Sequence, residues 1–342
     1  LTGIRAFSHF VADHSAKNRA SHSASSVLFT TAANLKARET TKYGTIIAPP
    51  CFLYSVYWCS GRTGGLPGVH GFHAGNHGDV LKHWVLVLCL EYLKQKDKPF
   101  FYIDTHSGSG LYSLTDPYAR KTGEATEGIG KLWQAAKWPA AMAAYREGIA
   151  SFNPHKLVRY PGSPAIAAAL SREDDRLRLI EMHSSDLSAL QKQFARDRRG
   201  KVLEGDGFVD VKGLLPPATR RGVVLMDPSY EIKSDYGKVI KSINECVKRF
   251  ATGQYLIWYP LINSVAAQRF SEQLQKLPCA SWLDVQLAVR CPPQGHGMYG
   301  SGLFVVNPPW TLKQQLEETL PELTQLLAQD DGAQWSVQQH SE

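Results

Sequence analysis

The chain has little that would mark a secreted, zinc-bound or membrane-bound protein. Its six cysteines, Cys51, Cys59, Cys89, Cys246, Cys279 and Cys291, form no Cys-x-x-Cys pair and no framework spacing. That argues against a disulfide scaffold and a cysteine zinc site, and fits thiols used as small apolar side chains in a reducing compartment. No apolar run reaches the roughly 20 residues of a membrane helix, and the best candidate, Ile46 to Trp58, is broken by Pro49 and Pro50. Repeats and low-complexity segments are absent. Acids are nearly absent from the first 68 residues, where seven Lys or Arg face only Asp13 and Glu39, so +5 of the formal +7 lies there. With only +2 left for the other residues, net charge alone is weak support for a nucleic-acid partner.

What is present describes an ordinary globular chain: 342 residues, 43% hydrophobic and 20% charged, enough for a sizeable core. Residues 1–68 are rich in Ser, Thr and Ala and lack sustained periodicity. A transit peptide has this composition, as does an unstructured extension or mistranslated upstream sequence, so the folded unit is expected over 69–338. A bacterial chain would be cytoplasmic; a transit peptide would send it to a mitochondrion or plastid.

From Phe72 onward the pattern is ordered. Asp79 to Lys94 reads as a helix capped by Asp79, with Val80, Leu81, Trp84, Val85, Leu88 and Leu93 near helical spacing. Short apolar runs follow, separated by helical patterns: Phe100 to Ile103, Leu177 to Ile180, Lys201 to Leu203, Val223 to Met226 and Tyr255 to Trp258. Alternation of this kind implies a parallel, doubly wound α/β sheet. Trp282 to Val289 and Gly302 to Val306 have no room for a helix between them, so they read as a closing antiparallel hairpin. About 70 residues separate the first two strands, and the helical pattern at Ile129 to Phe152 predicts a small helical insertion at about 112–160. Seven strands ending in such a hairpin form the Rossmann-like architecture of a class I S-adenosylmethionine-dependent methyltransferase.

The chemistry gathers at strand ends. Asp227-Pro228-Ser229-Tyr230 follows the apolar run Gly222 to Met226. The Asp227 carboxylate and the Pro228 carbonyl can each accept one N–H of an exocyclic amine, and Tyr230 can stack on the ring bearing it. The same residues also suit a simple strand-ending turn. Asn307-Pro308-Pro309-Trp310 offers the same groups but follows the last strand, far from the switch point, and reads as a structural ending. After the first strand, Asp104-Thr105-His106-Ser107-Gly108-Ser109-Gly110 makes a turn whose small residues let the backbone approach a ligand, or simply a tight turn. It lacks the third glycine of a dinucleotide fingerprint, which argues against a nicotinamide dehydrogenase. Glu181 closes the second strand, suited to ribose hydroxyls, and Asp206-Gly207 the third, suited to an adenine edge. The histidines of Phe72-His73-Ala74-Gly75-Asn76-His77-Gly78-Asp79 and His83 show no typical zinc spacing, which leaves a structural role or contact with cofactor or RNA.

Five motifs in order carry a specific resemblance. Phe-His-Ala-Gly-Asn-His-x-Asp-Val-Leu-Lys-His at 72–83, Asp-Thr-His-x-Gly-x-Gly at 104–110, Tyr-Pro-Gly-Ser-Pro at 160–164, Asp-Gly-Phe at 206–208 and Asp-Pro-x-Tyr-Glu at 227–231 look like the bacterial 23S ribosomal RNA adenine-N6 methyltransferase family RlmJ. The resemblance implies that His83, His106, Ser163, Glu181, Asp206, Gly207 and Asp227 line the S-adenosylmethionine site, and that Asp227 is also the catalytic residue on the target amine. The inserted helices would help hold RNA, free or partly assembled, and no metal, membrane or second subunit is expected. Two departures stand out: Ser229 replaces a second proline, and Leu66 to Gly71 replaces a short aromatic and basic tail. The alternatives are a DNA adenine-N6 methyltransferase and an inactive RNA-binding homologue.

Overall fold

A computed structural model describes residues 73–116, 123–295 and 297–341. The expected extension at 1–68, the tail before Phe72 and Phe72 itself lie outside the described residues.

The strands are β1 (Phe101–Asp104), β2 (Leu111–Ser113), β3 (Arg159–Pro161), β4 (Arg176–Glu181), β5 (Gly200–Glu204), β6 (Gly222–Met226), β7 (Gln254–Ile262), β8 (Ser281–Ala288), β9 (Met298–Val306) and β10 (Gln334–Ser341). The helices are α1 (His77–Lys94), α2 (Lys131–Gln134), α3 (Ala143–Ser151), α4 (Ser163–Leu170), α5 (Ser184–Phe194), α6 (Gly207–Asp210), α7 (Ser234–Arg249), α8 (Val265–Leu274) and α9 (Leu312–Leu327). The main sheet runs β10-β8-β9-β7-β6-β1-β4-β5. The five strands β5, β4, β1, β6 and β7 are parallel, and β9, β8 and β10 pair antiparallel. No described helix is long and apolar enough to cross a membrane.

Burial on both faces explains the apolar runs, because parallel strands are covered by helices on each side. Alternate residues feed two cores: Tyr102, Val223 and Leu225 join α1 and α9, while Ile103, Val224 and Met226 join α7 and α8. The sheet has eight strands, not the expected seven. The extra one, β10, is an edge strand whose apolar contribution is only Trp335 and Val337, packed on the core at period two. Backbone pairing with β8 makes it a strand, and its other residues face water, so no apolar run announces it.

The helix expected from Asp79 begins earlier, at His77. Asn76 is its cap, accepting from the Asp79 N–H, while the Asp79 carboxylate reaches back to the Gly75 N–H at 2.8 Å. Asn and Asp are comparable caps, and here Asp79 fills the third helical position of a reciprocal arrangement. Between β1 and β4 lie the short β2–β3 ribbon, α2, α3 and α4. Ile129, Leu132, Met142, Tyr145, Ile149 and Tyr160 from this stretch share the core of α1 rather than forming one of their own.

Candidate active site

All five parallel strands deliver their carboxyl ends to one edge, and β1 sits at the switch point between β4 and β6. That topology brings Asp104, Glu181, Asp206 and Asp227 to the edge where sheets of this kind open their ligand crevice.

After β1 the chain turns through Gly108 at φ 59° and Gly110 at φ 79°, the left-handed region that favours glycine. Glu181 holds this turn from the neighbouring strand: Oε2 accepts from the Gly108 N–H and Oε1 from the His183 N–H, each at 2.7 Å. The carboxylate expected at a ribose is therefore anchored by backbone donors, with one lone pair on each oxygen left over. Asp206 caps α6, accepting from the Phe208 N–H at 2.9 Å. A Cβ on Gly207 would fall 1.9 Å from the Thr105 carbonyl oxygen, so only glycine lets this loop seat against the turn after β1. His106 lies there too, with Nδ1 2.7 Å from Thr105 Oγ1 and its ring edge-on to Phe208 at 4.7 Å.

Below the turn, the buried Asp104 carboxylate accepts from the Tyr102 hydroxyl at 2.5 Å and from Ser163, the first residue of α4, at 2.7 Å. Burial, with the nearby charge of Asp227 adding to it, pushes Asp104 up to about 6 against the pull of these donors.

Asp227 follows β6, and its Oδ2 lies 2.5 Å from Lys82 Nζ; the same ammonium lies 2.6 Å from Asp79 Oδ1. Burial alone would lower the Lys82 pKa, but Asp227 and Asp79 together outweigh it and hold the ammonium above its ordinary range. Asp79 is held at about 2, the penalty of burial being overcome by the charge of Lys82 and by the hydrogen bonds from Lys82 and the Gly75 N–H. Lys82 had no role in the sequence reading. Asp79, Lys82 and His83 stand at i, i+3 and i+4, which puts them on one helix face, and this was the available signal.

One expected residue is placed differently from its assigned role. Tyr230, expected as a stacking platform for a base, is 7% exposed, with its ring against Tyr236, Trp258 and Phe270 and its hydroxyl donating to the Trp258 carbonyl at 2.6 Å. Its φ of 54° turns the side chain into the core, where it ties the Asp227 turn to β7. His83 is buried with Nδ1 2.7 Å from the Tyr160 hydroxyl, a partner 77 positions along the chain.

Whether a cofactor fits can be judged from the crevice itself. His83 Nε2 is buried without a hydrogen-bond partner among the described residues, and glycines bring bare backbone to the crevice at the turn after β1 and at Gly207. A buried orphan of this kind can take a water or a ligand atom as its partner. The residues fit a polar organic ligand. Among the described residues no three His, Cys, Asp or Glu gather as metal ligands.

Strand order, glycine turn and carboxylates at successive strand ends define a class I S-adenosylmethionine-dependent methyltransferase-like α/β fold with a mostly parallel central sheet. The chain belongs to the RlmJ family: the family model described as "Ribosomal RNA large subunit methyltransferase D, RlmJ" matches residues 97–339. It is 48% identical over 271 residues to the Ribosomal RNA large subunit methyltransferase J of Haemophilus influenzae, covering 79% of this chain and 96% of that one. Identity to the Escherichia coli protein of the same name is 47% over 255 residues, 74% of this chain and 91% of the relative. A solved structure of a Legionella pneumophila protein aligns with TM-score 0.73 at 34% identity, covering 79% of this chain and 99% of that chain.

Proposed function

We propose that this chain transfers a methyl group from S-adenosylmethionine to the N6 amine of an adenine in 23S ribosomal RNA. The observation that carries this reading is the position of Asp227-Pro228 at the end of β6, beside the glycine turn of β1, in a chain of the RlmJ family. When bound, S-adenosylmethionine supplies a reactive methyl group on a cationic sulfur.

Alignment is what the chain's own residues provide. The Glu181-braced turn, His106, Ser163, His83, Asp206 and Gly207 line the cofactor side of the crevice. Asp227 accepts one N–H of the target amine and the Pro228 carbonyl accepts the other, so the nitrogen lone pair faces the methyl group. Lys82 holds Asp227 through Oδ2, which leaves Oδ1 to accept from the amine. The amine proton can leave once the nitrogen has become cationic. Tyr230 fixes the turn from below through its bond to the Trp258 carbonyl. A paired adenine would have to leave its stack, at a cost of a few kcal/mol, and a loop adenine less. A monomer acting on free or partly assembled RNA completes this reading.

The test uses labelled cofactor with deproteinised ribosomal RNA and with DNA. Asp227→Ala is expected to bind S-adenosylmethionine and to lose on the order of 10²- to 10⁴-fold in methylation rate. Retained turnover removes the amine clamp from the mechanism, and label on DNA alone replaces the RNA reading. Cofactor uptake with no transfer to either polymer identifies an inactive homologue, the outcome that Ser229 in place of a proline would favour.

A further inference from the structure

His83 heads a chain of three buried side chains drawn from α1, β3 and α3. Its Nδ1 lies 2.7 Å from the Tyr160 hydroxyl oxygen, which lies 3.0 Å from that of Tyr145. The His83 and Tyr160 rings stack at 5.5 Å with 29° between their planes. The Gly75 backbone, at φ 80°, packs close to the Tyr160 ring: a Cβ there would stand 3.3 Å from it. At the other end of the imidazole, Nε2 is buried and has no partner among the described residues.

Counting protons separates the three ways of wiring this chain. In the first, Tyr145 donates to Tyr160, Tyr160 donates to Nδ1, and the imidazole proton sits on Nε2; one group, Nε2–H, is left over. In the second, Nδ1–H donates to Tyr160 and Tyr160 to Tyr145, which strands both the Tyr145 hydroxyl proton and the Nε2 lone pair, since Tyr145 has no other hydrogen bond among the described residues. In the third, Nδ1–H and Tyr145 both donate to the Tyr160 oxygen, which strands the Tyr160 hydroxyl proton and the Nε2 lone pair. Each buried polar group left unpaired forfeits its hydration with no return, so the wiring that strands one group rather than two is the stable one. Burial first, and then the charge of Lys82, hold His83 neutral, with its pKa down at about 3.

We infer that Tyr160, backed by Tyr145, is a positioning residue that locks His83 as the Nε2–H tautomer and thereby presents an uncharged hydrogen-bond donor to an acceptor atom of S-adenosylmethionine. This rests on the cofactor reading above. The charge balance gives the arrangement a purpose. The cofactor has a carboxylate, ribose oxygens and ring nitrogens as acceptors, but also a cationic sulfur, and Lys82 is the next residue to His83. A neutral donor recognises the acceptors without adding a second cation beside Lys82.

The test is made on the full chain labelled with ¹⁵N at histidine. Long-range ¹H–¹⁵N spectra give the tautomer of His83, assigned by the signal lost in His83→Gln, and calorimetry with the unreactive product S-adenosylhomocysteine gives affinity. The expected result is a proton on Nε2 in the unsubstituted chain. Tyr160→Phe should give a tautomer mixture and an affinity weaker by about 3- to 10-fold, with kcat changed less than KM. Tyr145→Phe should move both readings the same way by less. His83→Gln, whose amide NH₂ reaches toward the Nε2 position, should bind better than His83→Asn. A proton on Nδ1 in the unsubstituted chain overturns the proposal. So does a Tyr160→Phe protein of unchanged melting temperature that keeps both tautomer and affinity. Failure of the unsubstituted chain to bind S-adenosylhomocysteine overturns the cofactor reading instead, and the spectrum then judges the tautomer lock alone.

Discussion

Asp227-Pro228-Ser229-Tyr230 and Asn307-Pro308-Pro309-Trp310 are alike in sequence and opposite in placement. Each ends a strand, joins a polar acceptor to proline and closes on an aromatic residue, and each holds one side-chain-bearing residue in the left-handed region, Tyr230 at φ 54° and Asn307 at 52°. Strand direction separates them. β6 runs with the parallel strands, so its turn opens into the crevice beside β1. β9 runs against β7, so its turn falls beside the start of β7, where the Asn307 amide donates to the carbonyls of Ala251 and Gly253 at 2.7 Å each. The buried aromatic belongs to the first turn and the exposed one, Trp310 at 76%, to the second. A short motif thus acquires chemistry from the polarity of the strand before it.

The largest effect on stability is expected at the crevice turn. Lys82→Met leaves the Asp79 and Asp227 carboxylates buried without their shared cation, a kind of change that costs about 3–5 kcal/mol. Urea unfolding at pH 7 measures it, and Asp79→Asn in the same chain should recover part of the loss. A cost below about 1 kcal/mol would mean that water screens the trio, and the contrast between a charged turn and a neutral one would weaken.

Next in size is a pH effect at Asp104, under the same crevice. Its folded pKa of about 6 stands above the ordinary carboxylate value of about 4. A raised carboxyl favours the protonated fold, so this contribution is fully present below about pH 4 and is lost as pH rises through about 6. A displacement of that size is worth about 2–3 kcal/mol. Relative to Asp104→Asn, the unsubstituted chain should lose that much stability between pH 4 and 6. Parallel stability curves across this window would show that Asp104 titrates as an ordinary surface acid.

Much of this was legible in the sequence, and the reasons for the remainder are specific. The parallel strands announced themselves because burial on both faces demands unbroken apolar runs, and their order placed Asp104, Glu181, Asp206 and Asp227 on one edge. β10 did not, because an edge strand needs only Trp335 and Val337 on its inner face and takes its identity from backbone pairing. Within the site, residue type foretold position but not partners. Glu181 was readable as a strand-end carboxylate, yet its backbone donors at Gly108 and His183 depend on how the turn closes. The inward ring of Tyr230 depends on one φ angle, and the contact of His83 with Tyr160 spans 77 positions, beyond any local periodicity.

The smaller effects belong to the second turn. Asn307→Ala removes two hydrogen bonds and puts alanine at a positive φ, at an expected cost of about 1–3 kcal/mol in stability. Methylation per folded molecule should stay unchanged, in contrast to Asp227→Ala. Smallest of all is Trp310→Ala: a side chain so exposed contributes within about 0.5 kcal/mol to folding, so the melting temperature should barely move. The variant is informative because exposed aromatics can also stack on nucleic-acid bases. A loss in RNA affinity of tenfold or more with folding intact would make the amino edge part of the substrate surface. The two turns would then differ in the step they serve, amine capture in one and RNA docking in the other, rather than in whether they serve the reaction at all.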